Sequence, residues 1–392
     1  MSQPFNFGPV PRIAFGINRV DGLGRDLARI AKDGAGVLLV TDPGVVAAGL
    51  SERVETLLAK GDIAVTRFSD VRSDPRAASI DAAAALARET KAGAAVALGG
   101  GSALDVGKLA AAIVGGDDPA EHYALGANPL PRGGLPWIAI PTTAGTGSEA
   151  TRTSVFTAAD GRKLWAWGER LRAALAILDP TLTVGLPAGL TAATGADAMV
   201  HAIEGMTVRR ANPVADALCL HAIRLIAGGA LARALAAPDD LEARGRMMQA
   251  AMLAGMGFDS TGTGIAHAMG HALGALAGVH HGRAVGLCLN AALAWNAEAA
   301  PVAHAAVARA LGVPCDSLDD ATAAARAAPA FACFLETIGL PLSLAGDGLG
   351  RGDSQRLADL TMAEENAPMR EANCRPISAA DARAIAERLL AA

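Results

Sequence analysis

Apolar residues in roughly the first half of the chain come in short runs closed by Gly, Pro or Asp, and the stretches between them carry the three-to-four-residue spacing of helices. The runs Gly36-Val37-Leu38-Leu39-Val40-Thr41-Asp42, Ala94-Ala95-Val96-Ala97-Leu98 and Trp137-Ile138-Ala139-Ile140-Pro141 lack polar alternation, as strands buried on both faces do. Helical spacing covers residues 44–60, 76–92 and 103–114. Strands alternating with helices predict a βαβ sheet of parallel strands. The pattern changes after Asp179-Pro180 and Leu186-Pro187. Beyond Ala188 come alanine-rich helical patterns, as at 213–236, 242–256 and 379–390, with almost no convincing strand. At 392 residues the chain exceeds what one core usually serves. The expectation is an α/β domain over 1–185 and an all-helical domain over 186–392.

Composition narrows the class. Hydrophobic residues make up 52% and charged residues 19%, with mean hydropathy +0.31, which excludes a disordered chain. No apolar run reads as a membrane span. Net charge is −5, and basic residues cluster no further than pairs such as Arg209-Arg210, which argues against a nucleic-acid partner. Five cysteines are scattered without a CxxC, as for buried thiols rather than a disulfide framework or a thiolate zinc site. The first residues lack the basic and apolar regions of a secretory signal, so the cytoplasm is the expected compartment. Aromatic residues are only 3% while alanine and glycine abound, so helix packing has to rest on small side chains.

Two loops suggest a nucleotide cradle. Gly99-Gly100-Gly101-Ser102 follows a predicted strand and precedes a helix, where side-chain-free backbone and unpaired N–H groups suit a diphosphate. It is not the G-x-G-x-x-G fingerprint, and a purely structural glycine turn is the alternative. The second loop, Pro141-Thr142-Thr143-Ala144-Gly145-Thr146-Gly147-Ser148-Glu149, suits a ribose, a carboxamide or a phosphate, with a plain turn as the alternative. Ligands bind at the carboxyl edge of open α/β sheets. Asp42 ends an earlier strand at that edge, where it could accept the ribose hydroxyls of NAD and repel the extra phosphate of NADP, or simply close an Asp-Pro-Gly turn.

A metal site is suggested in the second half. Asp197 and His201 are spaced i,i+4, as are His267 and His271, so each pair shares a helix face. His281 lies beyond Gly278, and Gly278 and Gly282 suggest a broken helix that returns His281 from a turn. These residues sit among small apolar neighbours, where burial without a partner is costly. Asp197, His201, His267 and His281 together offer one oxygen and three nitrogens, which suits Fe(II) or Zn(II) without separating them. His271 could pass a proton, with a structural role as the alternative. A cradle beside an open metal site suggests hydride transfer at an alcohol carbon whose oxygen the metal polarises.

These motifs, in this order, resemble the iron-containing (group III) alcohol dehydrogenase family. The likeness runs through Pro11 to Gly16, Gly99 to Ser102 with Asp105 and Lys108, Pro141 to Glu149, Gly195 to Ala198 with His201 and Glu204, Gly264 to His271, and His281-Gly282. The resemblance implies a Rossmann-like N-terminal domain, an all-helical C-terminal domain (the dehydroquinate synthase-like fold) and an active site in the cleft between them. It implies metal ligands at Asp197, His201, His267 and His281, and cofactor contacts at Asp42, Gly99, Gly100, Gly101, Ser102, Thr142, Thr143, Thr146, Ser148, Lys163 and Leu182. His271 is implied near the nicotinamide as the catalytic residue, NAD as the cofactor, and a homodimer or larger homo-oligomer as the assembly. Asn373-Cys374-Arg375-Pro376 resembles the family's usual Asn-Pro-Arg, with Cys374 in place of proline.

The resulting expectation is a metal-dependent NAD(H) oxidoreductase for a small primary alcohol or aldehyde. By position, Arg152, Thr153, Phe258 and Thr263 are candidates to line its pocket. If Arg152 binds a carboxylate, the substrate is a hydroxy acid of the 4-hydroxybutyrate kind; otherwise Arg152 forms a surface salt bridge. A maleylacetate-type reductase usually lacks the full metal quartet. A dehydroquinate synthase-like lyase needs a densely basic pocket that these segments do not offer, and a non-catalytic nucleotide-binding protein would not need the ligand set.

Overall fold

The structure is a computed structural model that describes residues 4–31, 36–315 and 317–391. The chain forms two compact units, one of Pro9–Thr143 with Gly147–Leu186, the other running from Pro187 and including residues 4–8 and Ala144–Thr146.

The first unit contains β1 (Arg12–Phe15), α1 (Leu23–Leu27), β2 (Val37–Val40), α2 (Pro43–Ala47), α3 (Leu50–Ala59), β3 (Val65–Phe68), α4 (Ala77–Glu89), β4 (Ala94–Gly99), α5 (Gly101–Ile113) and β5 (Trp137–Pro141). β6 (Thr153–Thr157), β7 (Lys163–Trp167) and β8 (Leu175–Leu178) follow. Six strands form a parallel sheet in the order β1-β8-β5-β4-β2-β3. Its inner strands β2, β4, β5 and β8 are buried at every residue, which is why they read as unbroken apolar runs. Successive side chains alternate faces. Leu38, Val40, Ala95 and Ala97 pack with Ile80 and Leu104 of α4 and α5, while Val37, Leu39, Val96 and Leu98 pack with Leu27 and Leu58 of α1 and α3. The alanine face lets α5 lie close to β4, where a Cβ at Gly107 would stand 2.6 Å from the Cβ of Ala97.

The sequence expectation differs from the structure in three places here. Residues 44–60 are two helices, broken at Gly49, whose φ of 73° favours glycine. α5 begins at Gly101, so Gly101 and Ser102 form its first turn. β6 and β7 pair antiparallel as a separate hairpin, unforeseen because their alternation spans only five residues each.

The second unit contains α6 (Ala188–Thr207), α7 (Pro213–Leu225), α8 (Leu231–Ala236), α9 (Leu241–Thr261), α10 (Ile265–Ala277), α11 (His281–Ala299) and α12 (Pro301–Ala310). It ends with α13 (Asp320–Ala324), α14 (Ala327–Thr337), α15 (Ser354–Thr361), α16 (Ala367–Ala372) and α17 (Ala379–Leu389). Among its described residues there is no strand. α6 is buried from Thr191 through Thr207 and packs against α7, α9 and α11, while α10 packs on α11. Residues 213–236 do not form one regular helix: a wider π turn at Ile226–Ala230, with Gly229 at φ 101°, separates α7 from α8. Pro213–Ala236 is the one described run long and apolar enough to cross a membrane, with mean hydropathy 1.5. It carries Asp216, Arg224 and Arg233, and α7 lies against α6 and α9.

Gly107→Val is expected to lower the unfolding free energy by about 1–3 kcal/mol, because the added atoms meet β4 directly. Urea unfolding measures it, and an unchanged midpoint would contradict the close approach of α5.

Candidate functional site

Three helices of the second unit converge their polar side chains. Asp197 and His201 lie one turn apart on α6, His267 and His271 one turn apart on α10, and His281 opens α11. Asp197 Oδ1 is 3.5 Å from His201 Nδ1, 3.9 Å from His267 Nε2 and 3.8 Å from His281 Nε2. Asp197, His267 and His281 each offer a ligand atom, and these atoms lie within 4.8 Å of one another. The ring of His201 joins them, 4.5 Å from that of His267. Asp197, His201 and His267 are buried, whereas the His281 side chain is 25% exposed, so the cluster reaches solvent on that side. His281 is the first residue of a helix rather than part of a turn. Gly278, in the left-handed region at φ 66°, ends α10. Gly282 breaks nothing: it sits in the first turn of α11, where a Cβ would stand 2.2 Å from the carbonyl oxygen of Ala193. Its missing side chain lets α11 approach α6 closely enough for His281 to reach Asp197.

Neighbouring groups fix these rings. Glu204 Oε2 lies 2.6 Å from His267 Nδ1, so the carboxylate accepts a hydrogen bond from Nδ1–H and leaves the Nε2 lone pair facing Asp197. His201 bonds the backbone of Gly145 and is stacked on Phe258, with ring centroids 4.3 Å apart. Burial, and then the neighbouring His267, hold its pKa well below the ordinary imidazole value, so it is neutral, as a ligand must be. His201 Nδ1 and His267 Nε2 are buried without a hydrogen-bond partner, a cost of about 1–3 kcal/mol each. A cation between them and Asp197 offsets that cost. The donor set therefore fits a divalent metal of the iron or zinc kind. His271 is buried, its ring 5.3 Å from that of His281 and 6.4 Å from that of His267.

In the first unit, Asp42, Gly99 to Ser102, and Thr142 with Thr143 lie at the carboxyl ends of three adjacent strands, β2, β4 and β5. Thr142 N donates to Gly99 O at 2.9 Å. Gly100 caps α5, leaving the helix N-terminus for an anion. Asp42 does close an Asp-Pro-Gly turn, its Oδ1 accepting from Val45 N at 3.0 Å at the start of α2. The remaining cofactor candidates are placed differently. Ser148 Oγ donates to Asp105 Oδ1 at 2.6 Å, Lys163 pairs with Asp74 at 2.6 Å, and the Leu182 side chain lies in the core beside Ile177. Thr146 belongs with Ala144 and Gly145 to the helical unit. There Gly145 has a packing reason for its lack of side chain, since a Cβ would stand 2.6 Å from that of Thr194 on α6.

The sequence reading gave no role to the groups that hold the second loop. Lys108, fully buried, donates to Ser148 O and Thr153 O, both at 2.7 Å, and lies 3.4 Å from Asp105 Oδ1. The i,i+3 spacing of Asp105 and Lys108 just after the glycine run was the signal available. Beside them Glu149 is buried, and burial pushes its carboxyl up to about 7. Arg152 is buried, paired with Glu169 and 5.0 Å over the Trp167 ring. Of its two expected roles the ion pair is the one observed, with the Arg152 side chain largely buried and that of Glu169 exposed at the surface.

Residues 10–180 match the family described as iron-containing alcohol dehydrogenase, and residues 191–390 match its C-terminal family. The chain belongs to the iron-containing alcohol dehydrogenase family. It is 35% identical to a 1,3-propanediol dehydrogenase of Klebsiella pneumoniae over 91% of this chain and 92% of that one. To an NAD-dependent methanol dehydrogenase of Bacillus methanolicus it is 33% identical, over 90% and 92%. The solved structure of a sulfoacetaldehyde reductase from Bifidobacterium kashiwanohense in complex with NAD+ superposes with TM-score 0.86 at 30% identity, over 99% of both chains.

Glu204→Gln is expected to weaken cation affinity about 10- to 100-fold through loss of the His267 anchor. Competition with a chelator measures it, and wild-type affinity would refute the role given to Glu204. Glu149 generates a pH dependence. Its folded pKa, about 7, lies above the ordinary glutamate value of 4.5, so its contribution is fully present below pH 4.5 and is lost as pH rises toward 7. Unfolding curves across that window are expected to show a decline that Glu149→Gln reduces; parallel pH profiles would contradict it.

Proposed function

We propose that this chain is a metal-dependent oxidoreductase that interconverts a small primary alcohol and its aldehyde with NAD(H). The observation that carries the reading is the group of Asp197, His201, His267 and His281, in which the buried His201 Nδ1 and His267 Nε2 lack a hydrogen-bond partner. Family membership and the alcohols for which the relatives are named, propanediol and methanol, support a small alcohol. Iron is proposed as the cation, with zinc as the alternative.

When bound, the cation supplies Lewis acidity toward the alcohol or aldehyde oxygen, and the dinucleotide supplies a hydride acceptor or donor. The chain's own residues do the rest. Asp197 and the three imidazoles hold the cation, Glu204 and Gly145 keep two of the rings in their ligating orientation, and Phe258 covers His201. Burial of Asp197, His201 and His267 excludes bulk water and strengthens each electrostatic contact. His271, beside His281, is proposed to hold or pass a proton at the reacting oxygen. For the dinucleotide we assign Asp42 to the ribose hydroxyls, Gly99 to Ser102 to the diphosphate, and Thr142 and Thr143 to neighbouring contacts.

The test is NADH oxidation with short aldehydes, using protein stripped of metal and then reloaded with Fe(II) under anaerobic conditions or with Zn(II). Turnover is expected only after loading, and His267→Ala is expected to lose cation and turnover together while binding NADH as before. A protein that holds cation and NADH yet turns over no alcohol or aldehyde would refute the reading.

A further inference from the structure

The Asn373-Cys374-Arg375 segment makes contacts that its sequence did not explain. Asn373 is 1% exposed. Its Oδ1 accepts from Ile265 N, the first residue of α10, at 3.2 Å, and from Asn296 Nδ2 on α11 at 3.1 Å. Its Nδ2 donates back to Asn296 Oδ1 at 3.0 Å and to Arg375 O at 3.1 Å. Next to it, Arg375 donates to Trp295 O at 3.0 Å with its guanidinium 4.2 Å over the Trp295 ring. On the other side, Ala372 O accepts from Arg209 N at 2.7 Å, just past the end of α6. Four consecutive residues thus tie down the helices that carry Asp197, His201, His267 and His281.

The contact with α10 is the telling one. A helix leaves its first N–H groups unpaired unless something outside it accepts them. Here Ile265 N is taken by Asn373 and Ala266 N by Glu204 Oε1 at 2.8 Å, and His267 is the next residue. The two acceptors converge so closely that a Cβ on Gly264 would stand 2.8 Å from Asn373 Oδ1 and 2.9 Å from Glu204 Oε1. The Ile265 N–H donor and the Arg375 carbonyl acceptor fix which end of the Asn373 amide faces α10, and the reciprocal pair with Asn296 holds the amide in place. Cys374 Sγ lies 3.7 Å from Asn296 O, and burial pushes its pKa up to about 11, so it remains a thiol.

We propose that Asn373 is a positioning residue for the cation site: by capping α10 and locking onto Asn296, it sets the aim of His267 and His271 relative to His281. The proposal rests on the metal reading above. It concerns a side chain that touches no ligand atom and works through the backbone of α10.

The test uses full-length protein freed of metal and titrated anaerobically with Co(II), whose visible absorption reports ligand geometry, with affinity from chelator competition. Asn373→Ala is expected to lower Co(II) affinity about 10-fold or more, in the range of lost supporting contacts at metal sites, and to alter the visible bands, while NADH affinity by fluorescence stays unchanged. Asn373→Asp keeps an acceptor for Ile265 N–H and is expected to restore most of the affinity. If Asn373→Ala does not fold, Asn296→Ala, which removes the amide pair alone, carries the same comparison. Folded variants that bind Co(II) with wild-type affinity and spectrum would overturn the proposal, as would equal loss in Asn373→Ala and Asn373→Asp. If wild-type protein itself takes up no Co(II), the metal reading fails, and the proposal with it.

Discussion

Imidazole nitrogens buried beside a carboxylate, with no hydrogen-bond partner, are a cost that the fold has to offset. Asp197, His201, His267 and His281 lie on three helices, and Asp197 Oδ1 stands 3.5 to 3.9 Å from one nitrogen of each imidazole, less than two metal–ligand bond lengths. Most of the surrounding polar structure serves that arrangement. Glu204 accepts a hydrogen bond from His267 Nδ1–H, the backbone of Gly145 bonds His201, and Asn373 accepts from the start of α10.

Small side chains make the convergence possible. α11 approaches α6 because Gly282 has no Cβ to meet Ala193, and Gly145 fits against Thr194 for the same reason. The alanine and glycine content that says nothing about substrate is therefore what lets three ligand-bearing helices meet. In the other unit, the alanines on one face of β4 and Gly107 on α5 bring the helix behind the glycine run onto the sheet, and Lys108 and Asp105 hold the loop that follows β5.

What could be read in advance was local. Buried strands show as apolar runs, and i,i+4 pairs place Asp197 with His201 and His267 with His271 on shared helix faces, because both signals depend only on neighbours in the chain. The breaks at Gly49 and Gly229 were harder, since isolated glycines are tolerated in helices. Glu204 and Asn373 have roles that exist only once distant segments meet, so nothing near them in sequence marks what they do. Gly282 shows the same limit: read as a helix breaker, it is a point of helix contact. For Arg152 the sequence left two readings open, because its partner Glu169 lies 17 residues along the chain and meets it only in the folded structure.

The account stands on a cation held by the four side chains. Anomalous diffraction at the iron and zinc absorption edges, on crystals grown anaerobically from metal-loaded protein, tests this most directly. A single peak within bonding distance of Asp197, His201, His267 and His281 is the expected result. A metal peak located elsewhere, or loaded protein with no peak among these residues, would contradict it.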